Sequence, residues 1–508
     1  MDTSLTYSKM IIAFLFLTGL VFGQAPSSFE NTEITLSANE VLNIQAAPFL
    51  AKGDGVTDDR PAIQRAIDSG NVIYLPKAAV AYKITAPLIL SEGKTIYGDG
   101  AGTIIRQTVA GQKGVLLGNN TVLRNFALRG TASGVWEPGA TGIYATWFGD
   151  FRGHNGLFRT SADSEWQGKN VVIEDMAIYD WGQYGISAGP YNKIVHNRIY
   201  NCFHEGVYSR GDFTEITDNY IENTNSWGID INGCYNLIRG NILINVGDRV
   251  ALGSNDCGGI VLWADTQIDG MRGNIISGNL IHTSTTSGIV LLTYTYPLQQ
   301  CTIEGNIIYN VTTNTTDAGL AGIYVSNEAA SDKISSIIIS NNNISQVITG
   351  PGIRVYGTGG VSIIGNMIDS TKTCGIFVLG STFRASGVRI KDNDINNFGE
   401  SQGIYVAYTD NVSITGNHIT GTTSTLGNLL IFLSDDRNYI LTDNILKGDT
   451  IQTFNGIRIV DGSSYGIVSH NTINNCRRGI YVDSSSTVGH LILTENGGTG
   501  TLDLPPEK

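Results

Sequence analysis

The chain has 508 residues, 15% of them charged, and a formal net charge of −13 at pH 7. Such an acidic surface repels a phosphate backbone and excludes nucleic acid as the natural partner, while leaving sugars open. The six cysteines, Cys202, Cys234, Cys257, Cys301, Cys374 and Cys476, show no C-x-x-C or other metal-ligand spacing. They read as small core or turn residues; no cofactor is expected, with calcium left open in the absence of a motif for it.

In chain order, Lys9 precedes an apolar run from Met10 to Phe22, and Val21 and Gly23 suit cleavage before Gln24. The run is too short to span a membrane comfortably, so residues 1–23 read as a signal peptide. With no second long apolar run, residues 24–508 are expected to be one secreted domain without stable membrane insertion. Its N-terminal cap and first coils are placed at about 45–129. Within them Pro61–Ser69 reads as a short helix, with Asp58 or Asp59 at its start and Ala62, Ile63, Ala66 and Ile67 on one face. The open end of a solenoid needs such a cap. The glycine cluster Gly98-Asp99-Gly100-Ala101-Gly102 leads into a strand-like stretch, TIIRQT, whereas a phosphate-binding loop must open a helix.

A long interruption at about 130–169 is rich in aromatic residues and fits no regular unit. Regular units then run from about 170 to 490. Each has an Asn, any residue, an Ile or Leu, a polar turn, then Gly-Ile-x-Val. The Asn falls at 197, 219, 241, 279, 306, 342, 366, 393, 417, 444 and 471, in steps of 22 to 38 residues. That period marks a solenoid, and the two-residue alternation marks its elements as strands. Ile and Val of each unit point inward together and x points out. The repeated Asn is expected to hydrogen-bond along the stack and to sit in the left-handed conformation of a corner. Positive φ is likewise expected for the Gly that opens each strand. About a dozen coils at ~4.8 Å give a rod on the order of 60 Å.

The passage GDGVTDDRPAIQRAID, followed by VIYLP and IYGDGAGTII, resembles the N-terminal module of the pectate-lyase-like, right-handed parallel β-helix superfamily, and the downstream coils are similar to it too. The resemblance covers nearly everything after residue 23. It implies an all-β, single-stranded right-handed parallel β-helix with a short capping helix. It also implies polysaccharide chemistry by lyases, hydrolases or epimerases, with substrate along a strand face. The fold does not choose among these. The alginate epimerases are similar in layout, with a Y-G-F-D-P-H turn. The matching stretch here is Tyr184-Gly185-Ile186-Ser187-Ala188-Gly189, without the Asp and the His. The polygalacturonase set of N-T-D, D-D and G-H-G is absent, and Arg389-Ile390-Lys391 lies on an ordinary repeat strand.

All six tryptophans, at 136, 147, 166, 181, 227 and 263, fall in one quarter of the chain. Aromatic faces suit sugar rings, and loops on a rigid scaffold carry binding. Trp136, Trp147, Trp166, Trp227 and Trp263, with Asn232, are therefore the candidate substrate-binding residues, and the aromatic loop is expected beside the strand face carrying Tyr208 and Asp230. Counting from each strand Gly, Tyr208 and Arg210 face out in one coil, Asp230 and Asn232 in the next, and Val261 and Trp263 in the one after. Arg210 and Asp230 are expected as neighbours, with His204 within reach. Tyr324, Arg354 with Tyr356, and Arg458 extend the same face.

Elimination across a uronic acid needs a cation for the sugar carboxylate, a base for the adjacent C–H and an acid for the leaving oxygen. Arg210, His204 and Tyr208 have those chemistries, and Asp230 would orient them. Hydrolysis needs two carboxyl groups. Asp230 has Glu205, Asp212, Asp256 and Asp265 as potential partners, although parity points Glu205 inward. The expected function is a secreted uronic-acid polysaccharide lyase. A glycoside hydrolase and a non-catalytic carbohydrate-binding or adhesive rod are the alternatives, and the clustering of these features between about 130 and 265 favours an enzyme. Oligomeric state is not encoded in any pattern of the sequence.

Overall fold

The structure is a computed structural model that describes residues 41–132, 136–145, 168–247, 257–264, 270–312, 320–399, 402–421, 429–449, 454–483, 491–498 and 502–503. The expected signal peptide lies outside the described residues. Each coil gives one short strand to each of three parallel sheets. Lys193–Val195 lies in the first, Arg198–Cys202 in the second and Val207–Ser209 in the third. They pair in register with Glu215–Thr217, Tyr220–Thr224 and Trp227–Ile231 of the next coil. Among the described residues the sheets hold 17, 17 and 16 strands. The second runs from Asp54–Asp58, paired to Ala81–Ile84, to Gly497–Gly498, paired to Thr472–Asn474. The fold is the right-handed parallel β-helix expected. It has more coils than the Asn repeat indicates, because the strands before Asn197 pair without that signature. At ~4.8 Å per step, 17 strands make a rod roughly 77 Å long.

The alternation in Gly-Ile-x-Val places Ile376, Val378, Ile404 and Val406 fully inside, within one continuous aliphatic core reaching from Ile44 to Val482. The helix Arg60–Ser69 buries Ala62, Ile63, Ala66 and Ile67 and packs against the first coils. Asp59 precedes it but makes no side-chain cap. Its carboxylate instead accepts from the backbone N–H groups of Lys52, at 2.6 Å, and Gly53, at 2.9 Å, tying down the chain that leads into the helix. All six cysteines are buried. Among the described residues no helix is long and apolar enough to cross a membrane.

The eleven repeated Asn residues form one buried ladder, and Asn496 adds a further rung. In each rung the backbone N–H and Nδ2 both donate to Oδ1 of the next Asn. Asn197 meets Asn219 in this way at 2.9 and 3.0 Å, while its Nδ2 also donates to the Ile173 carbonyl at 2.8 Å. The left-handed conformation falls on the residue before the ladder Asn: His196, Asp218, Asn341, Asp392, Asp443 and His470, with Gly at the other coils of the repeat. The expectation that the ladder Asn itself takes positive φ is corrected. Its own N–H must point along the stack, so the sharp bend is displaced by one residue. The strand-opening glycines also have ordinary φ. They are required by closeness of approach: a Cβ at Gly352 would lie 2.5 Å from Ile368 Cγ2 and 2.8 Å from the Gly375 carbonyl oxygen.

Candidate functional site

The third sheet carries a column of side chains pointing away from the coil interior. Its register sets Ser187 beside Tyr208, Tyr208 beside Asp230, and Asp230 beside Val261. Asp230 therefore has Tyr208 as its direct neighbour, and Arg210 sits diagonally, one residue beyond the end of the strand Val207–Ser209. The two are diagonal neighbours on one face, and the guanidinium acts on the Asp230 carboxyl. The cause is register: position 210 aligns with 232, two residues further along. Arg210 turns back instead, and its Nε donates to the Tyr208 hydroxyl with the guanidinium 5.2 Å from the Tyr208 ring centre.

Tyr184, from the corner of the preceding coil, stacks on Tyr208 with centroids 4.9 Å apart. The His204 ring meets the edge of Tyr184 at 5.6 Å and lies 5.2 Å from the Trp136 ring. Trp136 is 41% exposed, so this part of the aromatic loop is beside the Tyr208 face and open to solvent. Trp147 and Trp166 lie outside the described residues. Trp227 is buried with Val261 and Val290, and the half-buried Trp263, Leu292 and Tyr324 pack on that group. This apolar group adjoins Asp230 through Val261. Asn232 Nδ2 donates to Asp230 Oδ1 at 2.6 Å.

Glu205 is the residue that alternation misplaces. It is buried and engaged at the site: His204 Nδ1 donates to its Oε2, and Ser226 Oγ donates to its Oε1 at 3.1 Å. Parity cannot be carried back from Val207, because 203–206 is a corner between two strands. The available signal was composition, since Glu205 is an acid immediately before a strand Gly where other coils carry Tyr184, Trp227, Ser287 or Cys374. Tyr184 was missed because it was weighed only as part of an epimerase motif. Of the other carboxylates, Asp212 accepts from the Cys234 backbone N–H at 2.8 Å, and Asp256 and Asp265 lie outside the described residues.

Burial, followed by repulsion from Glu205, raises the Asp230 carboxyl well above the usual range, against the opposing effects of Arg210 and Asn232. Burial also raises the Tyr208 and Tyr184 phenols, with Arg210 opposing in both cases. Both phenols are therefore neutral near pH 7. The arrangement holds an imidazole oriented by a carboxylate, a neutral phenol, a guanidinium and a protonation-prone acid together in two successive coils. Among the described residues no group of three or more His, Cys, Asp or Glu is placed to hold a metal ion.

Comparison with known families agrees with this fold along most of the chain. The family described as "Right handed beta helix region" matches residues 258–446 and 351–502, and "Rhamnogalacturonase A/epimerase, pectate lyase-like" matches residues 44–239. The chain belongs to the pectate-lyase-like, right-handed parallel β-helix superfamily. Mannuronan C5-epimerase AlgE1 of Azotobacter vinelandii is 28% identical over 212 residues, covering 38% of this chain and 14% of that protein. AlgE4 of the same organism is 26% identical over 213 residues, covering 38% of this chain and 36% of that protein. The matches thus span far less than two thirds of these relatives. The tailspike protein of E. coli bacteriophage HK620, solved with a pentasaccharide, superposes with a TM-score of 0.55 at 14% identity, over 90% of this chain and 79% of that one. Bacteriophage phi29 gene product 12 gives 0.58 at 14% identity, over 90% and 73%. At such identities the two structures speak for the fold alone.

Proposed function

We propose that this superfamily member is a secreted enzyme that acts on a uronic-acid polysaccharide by β-elimination. The observation that carries the reading is the pairing of His204 with Glu205 beside the pairing of Tyr208 with Arg210. Glu205 accepts from Nδ1, which orients the ring and gives Nε2 of His204 the role of base. The Arg210 guanidinium is the cation of the group, with the fork geometry that meets a sugar carboxylate. In the step proposed, His204 Nε2 takes the proton α to that carboxylate at C5. The C5–H electrons form the C4=C5 double bond, the C4–O4 bond breaks, and the Tyr208 hydroxyl protonates the leaving O4. Arg210 offsets charge first on the substrate carboxylate and then on the phenolate. Burial raises the Asp230 carboxyl and so disfavours a competing negative charge beside them. The names of the mannuronan C5-epimerases support a uronan as substrate, and epimerisation at C5 begins with loss of the same proton.

A second reading has its own observation: Glu205 and Asp230 are two mutually repelling buried carboxyl groups, as a glycoside hydrolase requires. Glu205 is, however, engaged through both oxygens by His204 and Ser226, which favours a positioning role. The test is incubation with a panel of acidic and neutral polysaccharides, reading the ultraviolet absorbance of unsaturated ends, reducing ends, and deuterium uptake at C5 in D2O. Elimination gives absorbing products that Arg210→Ala lowers about 100- to 1000-fold in kcat/KM, while Asp230→Asn keeps most activity. Saturated reducing ends that vanish in Asp230→Asn establish the hydrolase instead. Exchange without absorbance establishes epimerisation.

A further inference from the structure

The outward column that holds Tyr208 and Asp230 continues along the third sheet, through Val261 and Val290, to Tyr324, and from there to Tyr481. Over those last coils its character changes. Arg354, Phe377, Tyr405, Phe432 and Arg458 follow one another in strict register. The rings of Phe377 and Tyr405 stack at 4.7 Å and those of Tyr405 and Phe432 at 5.2 Å. An arginine closes each end of this stack. The Arg354 guanidinium lies 5.3 Å from the Tyr324 ring centre and 5.4 Å from that of Phe377. Arg458 lies 5.8 Å from Phe432 and 5.6 Å from Tyr481. All of these side chains are half-buried, so the stripe is partly open to solvent.

We infer that this stripe is a set of distal subsites for an extended polyanionic glycan, Arg354 and Arg458 each taking a sugar carboxylate. The substrate class rests on the proposed function. Three observations lead here. The chain has 45 acidic against 32 basic residues, yet neither this column nor the parallel outward one, from Ser326 through Tyr356 to Val460, contains an acid between Tyr324 and Tyr481. Stacking of aromatic rings alone would stabilise the sheet, so the half-buried arginines that close its two ends serve something further. A guanidinium held between two rings is pre-organised for bidentate carboxylate contact. Arg354 and Arg458 are four coils apart, ~19 Å, and Arg354 is five coils from Tyr208, ~24 Å. A sugar's advance along a polyuronate is comparable with the coil spacing, so a chain lying along the rod meets successive coils with successive residues. Only a long chain reaches both the catalytic cluster and the arginines.

Calorimetric binding of polymannuronate, polyguluronate and polygalacturonate, each as a long chain and as a tetramer, with neutral dextran as control, tests this without turnover. Wild type is expected to bind at least one long acidic chain, with affinity falling as salt rises, and to leave dextran unbound. Replacing both arginines, Arg354→Gln with Arg458→Gln, should weaken that long-chain binding tenfold or more, from the loss of two charge-assisted contacts, while tetramer binding at the His204 site and the melting temperature stay unchanged. Should the double variant melt early, the salt dependence of wild-type long-chain binding, compared with that of the tetramer, decides the matter. Equal affinity of wild type and a folded double variant for the long chain, binding of dextran as tight as that of the acids, or no binding of any acid overturns the inference. Long-chain binding that depends on the arginines, without any unsaturated, exchanged or cleaved product, overturns the proposed reaction and leaves the subsites standing.

Discussion

Replacing Asn342 with Leu keeps the volume of a buried side chain and removes one rung of the Asn ladder. In the native protein Asn342 Oδ1 accepts from Asn306 N at 3.0 Å and from Asn306 Nδ2 at 2.9 Å. Its Nδ2 donates to the Ile303 carbonyl at 3.0 Å and to Asn366 Oδ1 at 2.9 Å. The loss is uneven. Asn306 Nδ2 keeps the Ile276 carbonyl, and Asn366 Oδ1 keeps the Asn342 backbone N–H. The Asn306 N–H loses its acceptor in a site that is fully buried. One stranded N–H and a weakened carbonyl together amount to about 2–4 kcal/mol. A solenoid opens locally, so the effect is read best by hydrogen exchange of peptides from this coil and its neighbours. The opening equilibrium should rise by about 30- to 1000-fold there and little at the far ends. The next residue, Asn343, is half-buried on the outward side of the second sheet, and Asn343→Leu should stay within about 0.5 kcal/mol of wild type. If the two variants exchange alike, the ladder stabilises through something other than these bonds.

In the core, Ile376→Asp buries an unpaired carboxyl and should destabilise its coil by several kcal/mol in chemical denaturation, whereas a wild-type melting curve would mean that the inward register is wrong. Gly352→Ala should lose about 1–3 kcal/mol through crowding against Ile368 and the Gly375 carbonyl, and an unchanged midpoint would show that the coils can spread. Burial lifts the Asp436 carboxyl to about 7, although Thr409 and Ser434 donate to it. With the folded value above the unfolded one, its contribution to stability is full below about pH 4 and lost as the pH rises towards 7. Wild type should therefore lose stability relative to Asp436→Asn between pH 4 and pH 8, and a difference that stays constant contradicts the burial effect. At the site, Glu205→Gln should lower kcat about 10- to 100-fold with KM little changed, because it loosens His204 and not the sugar; a rise in KM alone would make Glu205 a binding residue.

The repeat was legible because it is enforced in every coil by the same two demands, an apolar interior and a satisfied corner. Ile376, Ile404 and the eleven ladder Asn residues are placed by the sequence pattern alone. The early coils were not counted, since strands such as Val72–Leu75 and Thr95–Gly98 pair with the same register but close their corners without the Asn. The φ assignments failed for a related reason. A pattern shows which residue type recurs at a corner but not which of its neighbours bends, and at this corner the bend falls on His196 and Asp218, whose identity varies from coil to coil. Outward positions within strands, Tyr208, Asp230 and Trp263, were legible from alternation, whereas the partner of each across coils depends on register, which is set by insertions of unequal length.

The candidate site draws on both kinds of position, and this explains its appearance in sequence as a weak, scattered signal. Tyr208 and Asp230 come from strands, where the backbone repeats and the side chains have fixed direction. Tyr184, His204, Glu205 and Ser226 come from the corners between the second and third sheets, where alternation no longer holds and the chain is free to turn a polar side chain sideways. A parallel stack can hold such a group only if each corner is satisfied by its neighbour, and here it is: Ser226 of one coil holds Glu205 of the coil before, Glu205 holds His204, and Tyr184 of the coil before that packs against both His204 and Tyr208. The chemistry therefore depends on three successive coils keeping register. A substitution at a structural corner glycine such as Gly206, whose added Cβ would lie 2.6 Å from Ile221 Cγ2 and 2.8 Å from the Gly228 carbonyl oxygen, would disturb the site through spacing alone, without touching any reacting group.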